Sequence, residues 1–493
     1  MKPMWRVLPA VLVLVACGKL LAAEWGYQPE VKLLPPRPEL QWNLWAGEYH
    51  FAYHNVSDFV LDEDGLANPV GQWAEHRVRL SPAFAWGRFG ARIELDLIEG
   101  QIFGDHEDLY PAGHRLDSKA ENHGAGFHGF LLREAYAQAI TPIGLIRLGQ
   151  MTSSYGLGVL ANTGIEDDDR FGVRRYGDVV DRVLLALKPF RPMTGANKWG
   201  DYLTVVASGD MVWRDENADF RDGDRAWQAN GGLFWNHPRY TNGAIFTFRT
   251  QEDDDGDILE VFVVNLNGQN EYALTTMAGT GEESGRQVPD LALSLDYEAI
   301  WLQGHTDRFE QIGTEDGLDL ASFGAVGRLN LALHSVGLEA ELEVGYASGD
   351  NNAHDDTSHS FFFDPDYNVG LIFFDEMLPR ISARAAEISS DPANVAVPAK
   401  GLDLIPSQGR VTNVLYYFPQ VRWTWAPATH YVEDVKVLLG GLVMTSPAEF
   451  AHSYYTFRNG GSAANHQGRS VDSNYLGTEL LAGVRATVEI WPE

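Results

Sequence analysis

Hydrophobic and polar residues alternate one by one along much of this chain, and polar stretches separate the alternating runs. In 338–346, Leu338, Ala340, Leu342, Val344 and Tyr346 alternate with Glu339, Glu341 and Glu343. In 77–86, Val78, Leu80, Phe84 and Trp86 lie opposite Arg77, Arg79 and Ser81. After a Gly-rich turn at 87–90, Ala91, Ile93, Leu95 and Leu97 alternate with Arg92, Glu94 and Asp96. A period of two is the mark of a strand with two unlike faces. The same pattern predicts strands over 45–54, 145–150, 179–188, 201–208, 226–235, 243–250, 258–266, 291–303, 320–333, 338–347, 413–425, 435–444 and 475–491. With one more before the turn at 141–144, the total is about 16, within a range of roughly 14–18.

Two neighbouring strands that share a wholly apolar face need a covering layer in a soluble fold. No segment shows a helical period sustained over three turns, so no such layer is expected. No uninterrupted apolar run reaches about 18 residues, which excludes a helical membrane protein. The pattern therefore predicts an all-β fold, a transmembrane antiparallel β-barrel with long extracellular loops and short periplasmic turns. Long polar connections fall at 55–71, 100–126, 153–178, 209–225, 251–257, 305–319, 348–410 and 445–474, and short ones at 87–90, 141–144, 237–242, 334–337 and 426–433. Glu339, Glu341 and Glu343 on a lipid face would cost roughly 2–4 kcal/mol each near the midplane, so they are expected inside, in a wet lumen.

Composition agrees, with 12% aromatics and 50 glycines in 493 residues. Lys2 and Arg6 precede an apolar run over 7–16, the length of a signal-peptide core, so 1–23 reads as a signal peptide. Cys17, the only cysteine, ends a lipobox-like Leu14-Val15-Ala16-Cys17, and cleavage near Ala23 would discard it. Pro29, Pro35, Pro36 and Pro38 make 24–41 an extended periplasmic lead-in, and the barrel takes 42–493. A net charge of −31 disfavours nucleic acid. The expected surroundings are outer-membrane lipid and lipopolysaccharide, to which acidic loops could be bridged by cations.

Chemistry concentrates in 146–188, where Glu166, Asp167, Asp168 and Asp169 precede Arg170, Arg174 and Arg175 in a loop too long to be a simple connection. By parity Arg77, Arg79, Arg92, Arg133 and Arg147 are candidate pore-lining cations, joined by Arg170, Arg174, Arg175 and Arg182. Glu94, Asp96, Glu339, Glu341 and Glu343 are the candidate lumen carboxylates. A row of guanidinium groups can pass an anionic solute between bidentate contacts, or each can pair with a wall carboxylate and stiffen the barrel. Catalytic motifs are lacking, so no enzyme is expected. No cofactor is expected either, beyond surface Ca²⁺ on loops carrying Asp105, Glu107, Asp108, Asp355 and Asp356, whose spacing fits neither an EF-hand nor a zinc-protease motif.

Four pieces, LREAYAQ at 132–138, LGQMTSSYGLG at 148–158 with VDRVLL at 180–185, VGYASGDNN at 344–352 and LGTELLAGV at 476–484, resemble the alginate-export family of outer-membrane barrels. The resemblance implies a passive conduit for a polysaccharide or smaller hydrophilic solute, with arginines at the constriction. It departs at Gln150, where the family commonly has Arg. The alternative expectation is a plugged structural or adhesion barrel with cation-binding acidic loops.

Overall fold

The computed structural model describes residues 11–20, 37–43, 47–105, 127–128, 130–165, 167, 169–172, 177–275, 282–283, 286–287, 290–310, 317–352, 355–402, 407, 409–427, 432–471 and 473–488. Sixteen strands form one antiparallel wall in which each pairs with the next in sequence. They are β1 (Gly47–Val56), β2 (Gln72–Leu80), β3 (Phe89–Gly104), β4 (Leu131–Thr141), β5 (Gly144–Ser153), β6 (Asp178–Leu187), β7 (Leu203–Arg214) and β8 (Arg225–His237). The wall continues through β9 (Tyr240–Glu252), β10 (Ile258–Thr275), β11 (Leu291–Thr306), β12 (Leu318–Leu333), β13 (Leu338–Ala347), β14 (Val414–Trp425), β15 (Val432–Thr445) and β16 (Tyr475–Val488). The strand count and the alternation of long and short connections are as the sequence pattern predicts. Three edges differ. Pro82 has no amide to donate, so the run expected over 77–86 breaks into β2 and the short strand Ala83–Gly87. The lead-in ends in a strand, Arg37–Asn43, that pairs with Ala83–Gly87. Val11–Leu20, within the expected signal peptide, lies antiparallel along β1.

Parity sorts the side chains as expected. Leu148, Phe248, Phe262, Trp301, Leu342 and Leu480 are exposed on the outer face, while Arg79, Asp96, Arg182, Glu298, Glu343 and Tyr416 are buried on the inner one. Aromatic pairs mark both rims of the outer face. Phe262 and Trp301 (centroids 6.5 Å apart) lie toward the long-loop end, and Tyr240 and Tyr272 (5.5 Å) toward the short-turn end. Among the described residues no helix is long and apolar enough to cross a membrane.

The wall curls round until loops from its two ends meet, while among the described strands β16 pairs with β15 alone. Glu63, in the loop after β1, pairs with Arg458, in the loop before β16, and the Glu63 amide donates to Tyr455 Oη at 3.4 Å. One connection, 154–177, touches the inner faces of β2, β4, β11, β13, β14 and β16. Only a wall that encircles this segment can bring those strands to it.

Two long connections fold into the lumen rather than standing outside it. The second, 348–413, places Phe361, Phe363, Tyr367, Val369 and Phe374 in an apolar core with Val261, Ile300, Val326, Phe418 and Leu442 of the wall. A glycine on the wall gives it room: a Cβ on Gly324 would collide with the ring of Phe361. Within the wall itself, Gly345 leaves space for the ring of Tyr416 on β14. The same segment holds a helix, Leu378–Ser390, with Pro379 in its first turn, where a missing amide donor costs nothing, and it buries Leu378, Ala383, Ala386 and Ile388. This corrects the expectation that no helix exceeds three turns. Its buried face mixes Leu378, Ala383, Ala386 and Ile388 with Arg380 and Ser389, too weakly apolar to stand out in a hydropathy pattern.

Candidate functional site

The site is the inner wall with its two inserted segments. On the first strands, charges of opposite sign meet both directly across the ladder and diagonally, and the like-charged register pair Glu94 and Glu134 is bridged by Arg92. Arg79 faces Asp96 across β2 and β3 and holds it with a two-pronged contact of 2.7 and 3.0 Å. Opposed charges on one face are what stabilise such a pair. Arg133 donates to Glu94 at 3.1 Å, Arg92 reaches Glu94 at 2.6 Å and Glu134 at 2.9 Å, and Arg77 pairs with Glu48 at 2.8 Å. Further round, Arg182 grips Asp210 at 2.8 and 2.7 Å and also donates to Ser153 Oγ and Tyr155 Oη. Arg147 donates to Gln138 at 2.9 Å and lies over the Tyr136 ring.

Arg170, from the first inserted segment, crosses to β13. It donates to Glu343 at 2.6 Å and to Glu341 at 3.3 Å. Glu343 also receives Arg328 at 2.8 Å and the Tyr416 hydroxyl at 2.6 Å. Arg422 spans Glu339 at 3.0 Å and Glu341 at 3.3 Å. The three glutamates point inward, and exposure falls along the strand from Glu339, which is partly solvated, to Glu343, which is 0% exposed. The expectation of a wet lumen fails at this position, because buried arginines replace the hydration that parity alone cannot distinguish.

Other wall carboxylates clasp backbone. Glu298 accepts from the amides of Leu157 at 2.7 Å and Val159 at 3.1 Å. Glu479 accepts from Leu371, Ile372 and Phe373 at 2.7–3.3 Å. Conversely, Arg79 and Arg133 donate to the carbonyls of Gly164 and Thr163, and Arg422 and Arg485 to those of Asp169 and Asp167. The two segments also meet each other, the Asp364 amide donating to the Val159 carbonyl at 2.8 Å and the Gly177 amide to Asp366 at 2.7 Å. Burial, then the carboxylates of Asp366 and Glu216, pushes Asp364 well above the usual range. Burial and the neighbouring Asp215 push Glu216 up to about 7.

The structure thus brings Arg79, Arg92, Glu94, Asp96 and Arg133 into one cluster and Arg170, Glu341 and Glu343 into another, and leaves Arg77, Arg147 and Arg182 with local partners. Arg174, Arg175, Glu107 and Asp108 lie outside the described residues. Asp105 accepts from the amides of Gly71 and Gln72, Asp355 from Asn352 and Thr357, and Asp356 from the Thr357 hydroxyl. Gln150 donates to the Leu132 carbonyl and brings no charge. Sequence reasoning passed over Glu48, Asp210, Glu298, Arg328, Arg422 and Glu479. Parity within their strands, read together with register, is the signal that finds them, since Arg328 lies opposite Glu343 and Arg422 opposite Glu339.

No protein-family model matches the chain, and neither does any curated protein. Solved structures similar to it are outer-membrane channels. The DcaP channel of Acinetobacter baumannii is 11% identical with a TM-score of 0.38, over 92% of this chain and 99% of that one. An anion-selective porin from Comamonas acidovorans is 10% identical with a TM-score of 0.39, over 91% and 100%. OprD of Pseudomonas aeruginosa is 7% identical with a TM-score of 0.30, over 93% and 98%.

Proposed function

We propose that this chain is an outer-membrane channel passing a hydrophilic solute through a lumen narrowed by its two inserted segments. The observation that carries this reading is the two-sided wall. Its outer face exposes Phe262, Trp301, Leu342 and Leu480, a surface that a lipid environment accepts and water does not. The inner face is a ladder of charge pairs, which water or a polar solute can line. Residues 1–23 are read as a cleaved leader. While it remains, Val11–Leu20 occupies the edge of β1 that β16 needs to close the sheet.

The narrower reading, an alginate-export-like conduit for an anionic solute, is supported by the four sequence pieces and by Arg77, Arg79, Arg92 and Arg133 on one arc of the wall. Every one of those arginines faces a carboxylate, so its pull on an anion is local. The apolar core formed by 348–413 favours a second reading, a plugged structural or adhesion barrel with acidic loops facing lipopolysaccharide.

Planar-bilayer recording of the purified chain separates the readings. A channel gives discrete conductance steps, and a salt gradient gives a reversal potential of anion-selective sign. Absence of steps supports the plugged barrel, and marked cation preference removes the anionic solute.

A further inference from the structure

Three acidic side chains from three separate stretches converge at the outer end of the barrel. Asp178 begins β6 as the first inserted segment ends, Glu216 lies in the β7–β8 loop at 215–224, and Asp364 belongs to the second inserted segment. One carboxylate oxygen from each lies within 4.8 Å of the other two. Among the described residues none of the three has an ion-pair partner. Arg249, close to Glu216, is committed to Asp215 by contacts of 2.5 and 3.3 Å. Arg410 acts on Glu216 from a distance while stacked over the Phe362 ring. Asp215 and Asp366 add further negative charge around the cluster.

A second observation points to a ligand. Asp364 is 3% exposed, and its Oδ1 accepts from the Asp366 amide at 2.7 Å. Its Oδ2 is buried with no hydrogen-bond partner. Native structures rarely leave a buried carboxylate oxygen in that state, because the lost hydration goes uncompensated.

We propose that Asp178, Glu216 and Asp364 together hold a divalent cation, calcium in preference to magnesium. An all-oxygen set without His or Cys selects a hard ion over zinc or copper. At Ca–O distances of about 2.3–2.6 Å one ion bridges oxygens up to about 5 Å apart, whereas magnesium at about 2.1 Å demands a tighter cage. The ion joins the exit of the first inserted segment, the β7–β8 loop and the second inserted segment. It is therefore a staple across the outer mouth, separate from the exposed acidic loops.

The test uses the full chain in detergent micelles, stripped with a chelator and titrated with calcium chloride by calorimetry, with melting followed in parallel. The expected result is one tight site per chain, a melting temperature raised by calcium, and magnesium binding at least about tenfold weaker. Asp364→Asn removes charge from a repulsive cluster, so it folds at least as well without metal, and it loses both the site and the calcium-induced shift. The double variant Asp355→Asn/Asp356→Asn, on an exposed turn of the same segment, retains both. Equal calcium uptake by the native chain and Asp364→Asn overturns the proposal, as does calcium uptake lost only in the double variant or absent from the native chain.

Discussion

The two inserted segments enter the same lumen and share one apolar core, to which the first adds Leu157, Val159 and Phe171, but the balance of contacts that holds each is different. Segment 154–177 is held by charge, with Arg170 on Glu341 and Glu343 and its backbone gripped by Glu298, Arg79, Arg133, Arg422 and Arg485. Segment 348–413 is held mainly by apolar burial, through Phe361, Phe363, Tyr367, Val369 and Phe374, with Glu479 clasping three consecutive amides and ion pairs of Arg384 with Asp62 and Lys400 with Asp257 at its outer parts. Charge contacts fix position and direction, so the first segment has its geometry set from many sides of the wall. Apolar contacts fix burial but little orientation, so the second depends on shape, as the clearance of Phe361 at Gly324 shows. The first should fail sharply when one charge goes, and the second gradually as volume is removed.

The largest effect is expected at Glu343, where that contrast is most exposed to attack. Glu343→Ala leaves Arg170 and Arg328 buried without their shared partner and takes the acceptor from Tyr416. Removing one member of a buried network costs about 3–5 kcal/mol, because the remaining charges stay desolvated. Urea unfolding in detergent measures the loss. A change within about 0.5 kcal/mol, the range of ordinary surface substitutions, would show that the charge contacts do not hold the first segment.

Phe363→Ala tests the other mode. Phe363 is fully buried and packs edge-on against Phe361 and Tyr367, so truncation removes burial and leaves a cavity, about 3–5 kcal/mol at the upper end. The wall keeps its own hydrogen-bonded ladder, so much of that loss appears as release of the segment and less as unfolding of the barrel. Faster protease cleavage within 355–402, with a smaller fall in whole-protein stability than for Glu343→Ala, is the expected outcome. A protected segment together with a fully destabilised barrel would reverse the comparison.

The same contrast decides what could be read from the sequence. Strands are legible because Leu338–Ala347 and its neighbours change polarity at every residue, with apolar side chains exposed on one face and charges buried on the other. The first segment is also legible, since its charge run and glycines are too conspicuous for a simple turn. The second is not. Phe361, Phe363, Tyr367 and Val369 do fall on alternate positions against Asp364, Asp366 and Asn368, but the run is short and broken by Pro365, and the residues around it are polar enough to resemble an outer loop. Arg328 and Glu298 were hidden for another reason: parity places them inside, but only register shows which charge or amide each one meets. The solvation of Glu343 was out of reach as well, because inward and wet are different properties once a loop fills the space.

The smallest effect is expected where the helix of the second segment meets the loop before β16. Ile388, near the end of the helix Leu378–Ser390, packs with Tyr455 and Ala464. His452 caps the short helix Ser453–Arg458 by accepting from the Tyr455 amide through Nδ1, and its ring lies 4.3 Å from that of Tyr455. Burial, and then the neighbouring His466, lowers its pKa from the usual 6.5 to about 4. The unfolded chain therefore takes up a proton near 6.5 while the folded one resists until about 4. Stability from this group is complete above the upper value and is lost as pH falls through that window, on the order of 1–3 kcal/mol. Protonation also ends the capping bond, since a charged Nδ1 cannot accept. Proteolysis of the 446–474 loop should accelerate as pH drops across this range, measured with an acid-tolerant protease. His452→Asn keeps a capping acceptor without a titrating proton and should abolish the pH dependence. Retention of that dependence in the variant would assign it to another group, with His466 the nearest alternative.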